Sequence, residues 1–322
     1  MKIYYDNIIF KLQKKGGIST YWTELITRIN GINQLTTDSK YSRYFPVKIN
    51  EQEPFIFHSS YYRICNNPLA INVTTIHDFA YEKISYKFGF INKWQKKNAI
   101  MKSDGVICVS KNTAEDLRSL YPEFCGQIKV IYHGYSNKFK FKNTKRTNKC
   151  LFVGTRVFYK GFPTAVEIVA SSKNLELIII GGGELTKSEK KFLNQKLLGR
   201  YQKLNYISDE ILNELYNSAI CLLYTSNYEG FGIPILEAQS CGCPVVCQNI
   251  SSIPEVAEQS GIFIENDNLS KTTSAIEQIL TDNIKLKEIQ NKGFENIKRF
   301  SWEKMANETL DFYKTVFNEK TK

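Results

Sequence analysis

Two carboxylates eight positions apart, Glu229 and Glu237, bracket the segment Asn227-Tyr228-Glu229-Gly230-Phe231-Gly232-Ile233-Pro234-Ile235-Leu236-Glu237-Ala238. A carboxylate accepts paired hydrogen bonds from vicinal hydroxyls, so two acids facing one ligand suit a sugar. Gly230 and Gly232, on either side of Phe231, uncover backbone N–H groups at the start of a predicted helix, a place that favours an anion or a polar hydroxyl. Pro234 suits the first turn of that helix. A loop acid followed by an ordinary helix acid would account for the same residues without any ligand. In Phe152-Val153-Gly154-Thr155-Arg156-Val157-Phe158-Tyr159-Lys160-Gly161, two cations, Arg156 and Lys160, leave a strand end and precede a helix. Fixed cations there can neutralise a diphosphate without a metal ion, although any single such pair is usually just solvated loop charge. Gly16-Gly17-Ile18-Ser19 follows the first strand and lets a backbone approach phosphate, without completing a dinucleotide fingerprint. Thr74-Thr75-Ile76-His77-Asp78 ends a strand in two polar groups, and His77 is one of only three histidines. A lone histidine is most often structural, but one at a strand end beside an aspartate is a better catalytic candidate. Cys241, Cys243 and Cys247 have no histidine near them, so buried packing is a better account of them than a metal site.

These residues need elements to hold them. In the first half, Lys2–Tyr5, Phe55–His58, Asn72–Ile76, Gly105–Ser110 and Ile128–Tyr132 are predicted strands. Helices are predicted from a cap at Ser19 or Thr20 to about Asn30, and over Thr113–Leu120. In the second half, strands are expected at Cys150–Val153, Leu175–Ile180, Leu204–Tyr206, Ala219–Tyr224 and Pro244–Cys247. Helices are expected at Gly161–Ser171, Glu184–Leu198, Asp209–Asn217 behind Ser208, and Ile233–Gln239, with helix thereafter to Trp302–Phe317. Strand–helix alternation in both halves means an α/β protein with two doubly wound parallel sheets, whose ligands belong beyond the carboxyl ends of the strands. The polar, aperiodic stretch 136–149 reads as a linker. The expected division is 1–135, linker 136–149, 150–300, and a C-terminal helix 301–322.

The chain has 322 residues, 42% of them hydrophobic and 23% charged, which excludes disorder, collagen and a disulfide scaffold. No apolar run approaches the ~18–20 residues of a membrane span. The N-terminus carries Asp6 and no small-residue cleavage site, so a secretion signal is not expected. A cytoplasmic location with its eight cysteines reduced follows from that. The net charge of +11 is lopsided: residues 1–148 hold 23 Lys+Arg against 11 Asp+Glu, the remainder 20 against 21. Such a field favours a phosphate-bearing partner.

Together, in this order, the segments resemble the retaining family-4 glycosyltransferases of the GT-B fold. Glu229 through Glu237 looks like that family's E-x7-E motif. Ser240-Cys241-Gly242-Cys243-Pro244-Val245-Val246 and Ser252-Ile253-Pro254-Glu255 look like its continuation, and Gly154-Thr155-Arg156-x3-Lys160-Gly161 like its diphosphate-binding pair. Asp104–Ser110 and Phe300-Ser301-Trp302 also fit. The chain departs from the family in a short Gly31–Pro54 and in His133-Gly134 where Asn-Gly is commoner. The resemblance implies two Rossmann-like domains facing a cleft, with the C-terminal helix returning to the first. It implies that Arg156 and Lys160 hold the donor diphosphate, that Glu237 bonds the ribose, and that Glu229 with Gly230, Phe231 and Gly232 grips the donor sugar. Gly16 and Gly17 would approach the phosphates, His77 would touch the sugar near the reacting centre, and Ile207 would lie against the base. No metal or other cofactor is expected, because cations would absorb the charge of the leaving group.

The implied enzyme moves a hexose from a GDP- or UDP-sugar, a mannose on guanosine diphosphate by preference, to a glycan or lipid-linked glycan in surface polysaccharide (lipopolysaccharide or capsule) synthesis. The basic first half fits a peripheral contact with the cytoplasmic face of the inner membrane. Within it, Lys83–Lys102 mixes Lys93, Lys96 and Lys97 with Tyr86, Phe88, Phe90 and Trp94 and reads as an interfacial surface, or else as a solvated helix with one buried aromatic stripe. Two other functions are weighed: a nucleotide-sugar epimerase of the same fold, and a basic nucleic-acid-binding protein. The chain lacks any nucleic-acid recognition signature, so no nucleic-acid partner is expected.

Overall fold

The computed structural model describes residues 1–14, 16–37, 39–84 and 89–322. The chain divides into two compact units, residues 1–134 with 300–322, and residues 135–299.

Unit 1 is built on β1 (Lys2–Asp6), β2 (Ile32–Leu35), β3 (Phe55–Ser59), β4 (Ala70–Ile76), β5 (Gly105–Cys108) and β6 (Gln127–Val130), ordered β2-β1-β3-β4-β5-β6. Every pairing is parallel. The inner strands β3 and β5 are buried at every position, as expected where helices cover both faces of a parallel sheet. Chain order reverses between β1 and β3. There Asp6, buried at the end of β1, accepts bonds from the Ser60 amide at 2.8 Å and hydroxyl at 2.7 Å and pairs with Arg63 at 3.2 Å. The helix expected to begin at Ser19 or Thr20 instead spans Gly17–Arg28 with Gly16 at its cap; Ser19 lies in its first turn and donates to the Gly16 carbonyl at 2.9 Å. The helix expected over Thr113–Leu120 starts earlier, at Lys111, and is capped by Ser110. The C-terminal helix, Trp302–Lys320, belongs to this unit. Its Tyr313 hydroxyl lies 2.7 Å from the Tyr5 hydroxyl and 2.6 Å from His58 Nδ1.

Unit 2 contains β7 (Lys149–Val153), β8 (Glu176–Ile180), β9 (Tyr201–Leu204), β10 (Cys221–Tyr224), β11 (Val245–Cys247) and β12 (Gly261–Phe263), ordered β12-β11-β10-β7-β8-β9. All pairings are again parallel, and order reverses between β7 and β10. One core, including Phe152, Phe162, Leu177, Leu193, Leu223 and Ile276, joins the sheet to its helices. The strand expected at Leu204–Tyr206 lies earlier, at β9, and β12 occupies a region expected to be wholly helical.

The segment expected to be a linker is bound along unit 2. The Lys140 amide donates to Asn213 at 2.8 Å, Phe139 packs edge-on to Tyr216, and Phe141 packs on Phe294. Arg146 caps the ends of two helices at once: it donates to the carbonyls of Tyr216, Ala219, Cys241 and Gly242. These are carbonyls with no partner inside their own helices. Replacing Arg146 by Met leaves them competing for few donors, so unit 2 should lose about 2–4 kcal/mol. Urea unfolding of the variant checks this; an unchanged midpoint refutes the clamp.

Candidate functional site

In an open parallel sheet the two loops leaving strands on either side of the order reversal part company, and a crevice forms at the carboxyl edge. In unit 2 those loops follow β7 and β10, and they carry Arg156, Lys160, Glu229, Gly230, Phe231 and Gly232. The loops are stitched together. The Asn227 amide donates to the Tyr159 carbonyl at 2.7 Å, and the Thr225 hydroxyl donates to the carbonyls of Lys160 and Gly161 at 3.1 and 2.9 Å. Gly161 is obligatory here: its φ is +66°, and a Cβ would stand 1.9 Å from the Thr225 carbonyl oxygen.

This stitching delivers Lys160 Nζ to Glu229 Oε1 at 2.6 Å, with the side chains 23% and 11% exposed. The Glu229 backbone is held in turn, its carbonyl accepting from Ser251 and Ser252 at 2.7 and 2.9 Å. Gly230, Phe231 and Gly232 are buried, and the helix Ile233–Ser240 begins directly after them. Glu237 sits on that helix, half-buried. Burial first, and then Asp209, push its carboxyl up to about 7, with the Tyr216 hydroxyl acting the other way. Burial, then Glu229, hold the Tyr224 phenol well above its ordinary value.

Arg156 does not join this pair. Its Nε donates to Glu189 at 2.7 Å, and its Nη atoms donate to the carbonyls of Gly181 at 3.0 Å, Gly183 at 3.3 Å and Glu184 at 2.8 Å. The side chain is 4% exposed. Ile207 is half-buried, one residue before Ser208, which caps the helix Asp209–Ser218. Glu189, Thr225 and Ser251 were not found by sequence reasoning, and Ser252 was quoted only as part of the motif continuation, with no role assigned. The pattern Thr186-x-x-Glu189 is a capping-box signature that locates Glu189, but nothing in it names Arg156 as partner. Cys241 and Cys243 are buried and reach Asn213 Oδ1 and the Ala219 carbonyl.

The remaining predicted residues lie in unit 1. Gly16 and Gly17 are exposed at the start of their helix. His77 follows the end of β4, edge-on to Tyr21 and stacked on His133 at 5.6 Å, its Nε2 buried without a hydrogen-bond partner among the described residues. All three histidines are depressed. Burial brings His77 to about 4, with Asp78 raising it and Lys96 lowering it. Burial and then His77 bring His58 to about 3 and His133 well below the usual range.

Two doubly wound units, the second presenting a cation–carboxylate pair and a glycine-lined helix start at its order reversal, define an α/β protein of two parallel sheets. Residues 136–296 match the family described as Glycosyl transferases group 1, and the chain belongs to it. It is 40% identical over 118 residues to the O-antigen chain mannosyltransferase B of Escherichia coli, covering 37% of this chain and 31% of that protein. It is 27% identical over 221 residues to the O-antigen chain mannosyltransferase RfbU of Salmonella typhimurium, covering 66% of this chain and 62% of the relative. The match thus spans from about a third to somewhat under two thirds of these relatives' lengths. Sucrose-phosphate synthase from Thermosynechococcus elongatus shares the fold with a TM-score of 0.75 at 18% identity, over 99% of this chain and all of the other. Anabaena HepE, solved in complex with UDP-glucose, gives 0.71 at 16% identity over 98% of this chain and all of the other.

The two units respond to pH in opposite senses. Between about pH 6.5 and the folded values of His58 and His77, about 3 and 4, the unfolded chain binds more protons. Unit 1 therefore loses stability as pH falls through that window. Glu237 titrates near 7 when folded against an ordinary 4.5, so its contribution is complete below about 4.5 and is lost as pH rises through 7. Urea unfolding from pH 4.5 to 7.5 should show a shallower acid loss in His58→Gln and a shallower neutral loss in Glu237→Gln. Slopes identical to wild type contradict the assignment.

Proposed function

We propose that this glycosyltransferase is retaining and metal-independent, and moves a hexose from a nucleoside-diphosphate sugar to a glycan or lipid-linked glycan in surface-polysaccharide synthesis. Mannose on guanosine diphosphate is the first choice of donor, with uridine donors next. The observation that carries this is the Lys160–Glu229 pair at 2.6 Å on the crevice between the β7 and β10 loops. The two E. coli and Salmonella relatives, named as O-antigen mannosyltransferases, support the choice of sugar and product.

The chemistry is one of charge. When the anomeric carbon–oxygen bond breaks, negative charge collects on the departing diphosphate. The Lys160 ammonium and the backbone N–H groups at the start of the helix Ile233–Ser240 take it up, the part a metal ion plays in other enzymes. Glu229 and the Gly230–Gly232 backbone hold the donor sugar, and Glu237 accepts from the ribose hydroxyls. The acceptor oxygen bonds to the anomeric carbon on the face the diphosphate leaves, so configuration is kept, and its proton passes to the leaving phosphate oxygen. His77, neutral and with its buried Nε2 unpartnered among the described residues, serves as a hydrogen-bond partner for a sugar hydroxyl.

Unit 1 supplies the peripheral membrane contact at the cytoplasmic face. On the helix Phe90–Met101, Phe90 is 78% and Trp94 56% exposed, which supports this reading over that of a buried aromatic stripe. Tyr41, Tyr44 and Phe45 are exposed on the neighbouring 3-10 turn, whose Arg43 bonds Asn92 at 2.6 Å and Gln95 at 3.1 and 2.9 Å. Exposed rings among cations suit an anionic bilayer surface. Lys96 is no part of that surface. Its side chain is 2% exposed and pairs with Glu82 at 2.9 Å, because the helix turns it onto Phe79 and Tyr62. Tyr86 and Phe88 lie outside the described residues.

Thermal shift with GDP and UDP tests the donor class: a ligand at ~100 times its dissociation constant adds about 2.7 kcal/mol. Glu237→Ala should weaken the bound nucleotide about ten-fold. Lys160→Ala should lower kcat by about a hundred-fold, the scale of one lost oxyanion donor, and leave the affinity little changed. Activity that a chelator abolishes reversibly, or free sugar or an epimer formed without acceptor, would overturn the mechanism. Separately, Phe90→Ser with Trp94→Ser should cut binding to vesicles containing anionic lipid at least five-fold; unchanged binding rejects the patch.

A further inference from the structure

Arg156 is the predicted diphosphate ligand least available to a ligand. Every nitrogen of its guanidinium is committed, to Glu189 and to the carbonyls of Gly181, Gly183 and Glu184. Those carbonyls belong to a loop that leaves β8 through three successive left-handed glycines, with φ of +81°, +73° and +72°. At its middle a Cβ on Gly182 would stand 2.7 Å from Arg156 Nη1 and 3.0 Å from the Gly154 carbonyl. The loop is therefore packed directly on the guanidinium and on the end of the β7 loop.

Glu189 holds the guanidinium in that place. One carboxylate oxygen accepts from Arg156 Nε at 2.7 Å, and the other accepts from the Thr186 amide at 2.7 Å, completing the cap of the helix Lys187–Leu197. Burial pushes this carboxyl up, but the hydrogen bonds from Arg156 and Thr186 outweigh it and leave it below the usual range. On the far side of the loop Asn205 donates to Glu184 at 2.6 Å, and Lys203 donates to Asn205 at 3.2 Å. A planar, forked group is the only side chain that can serve one carboxylate and three carbonyls together.

We propose that Glu189 is a positioning residue that makes Arg156 a brace across the Gly181–Glu184 loop, so that Arg156 serves nucleotide binding through the shape of this loop and not as the principal contact of the diphosphate. The nucleotide part rests on the donor class proposed above; the brace does not. Glu189 also explains why Lys160 remains the cation within reach of the crevice.

Two readouts test it on the full chain. Endoproteinase Glu-C cleavage at Glu184–Leu185, followed by mass spectrometry, reports release of the loop. Calorimetric titration with GDP and UDP at low and high salt reports binding. Glu189→Gln and Arg156→Lys should each speed cleavage at least five-fold. Thr186→Ala, which removes only the hydroxyl of the cap, should stay within two-fold. Both brace variants should weaken nucleotide binding at least five-fold with the same salt dependence as wild type, and the double variant should bind no worse than either single one. Unchanged cleavage in Glu189→Gln refutes the brace. Tighter or more salt-sensitive GDP binding in Glu189→Gln also refutes it, because a freed arginine would then be reaching the anion. A wild type that binds neither GDP nor UDP, with cleavage still accelerated in the variants, refutes the nucleotide role and the donor class and leaves the brace standing.

Discussion

The reversal of strand order between β7 and β10 is the constraint on which unit 2 depends. It forces two loops apart at one sheet edge, and three hydrogen bonds and a left-handed glycine then tie their flanks together. The outcome is the Lys160–Glu229 pair. The pair is partly buried, with its lysine side chain 23% exposed, so an incoming anion can take over the ammonium while the carboxylate turns to hydroxyls. A fully buried pair would resist such an exchange, since each partner would be left uncompensated. Lys96–Glu82 in unit 1, with side chains 2% and 6% exposed, is such a pair, and it fits a fixed structural role.

Unit 1 solves a different problem with different chemistry. Its three histidines are neutral and packed among Tyr5, Tyr21, Trp22 and Tyr313. His58 bridges Tyr313 and Thr75 at 2.6 and 2.9 Å, which joins the returning C-terminal helix to β4. A neutral imidazole can donate at one nitrogen and accept at the other, so the same network that binds the helix also fixes the strand end that carries His77. The excess positive charge of residues 1–148 is carried elsewhere, largely at the surface, where it acts on partners at range rather than on the fold.

The sequence was most informative where a parallel strand is buried on both faces. Phe55–Ser59, Leu177–Ile180 and Cys221–Tyr224 are nearly continuous apolar runs between turn signals, and each is a strand in the structure. It was least informative at sheet edges. β2 (Ile-Asn-Gln-Leu) and β12 (Gly-Ile-Phe) are short and half-exposed, and they pair because a neighbouring strand offers them its hydrogen-bonding edge, a tertiary cause with no local trace. The segment 136–149 misled for a related reason: its charged side chains face water, while its backbone and Phe139, Phe141 and Arg146 do the binding. In the site, the loops bearing Lys160, Glu229 and the glycines were legible from residue type and from their place between strand and helix. The partner of Arg156 was not.

That last gap has a physical origin. A guanidinium that clamps a diphosphate and one that clamps a loop of carbonyls need the same planar array of donors. An arginine between a strand and a helix is therefore ambiguous by type, and only the neighbours decide. Here a carboxylate already fixed by its own helix cap occupies one edge of the fork, and three carbonyls of a glycine loop occupy the rest. A phosphate seeking a bidentate contact would have to displace at least one of them. At Lys160 it has a single carboxylate to displace, that of Glu229. A charge pattern in a sequence thus points to the loop that follows β7, while only the structure shows which of its two cations the fold has already engaged.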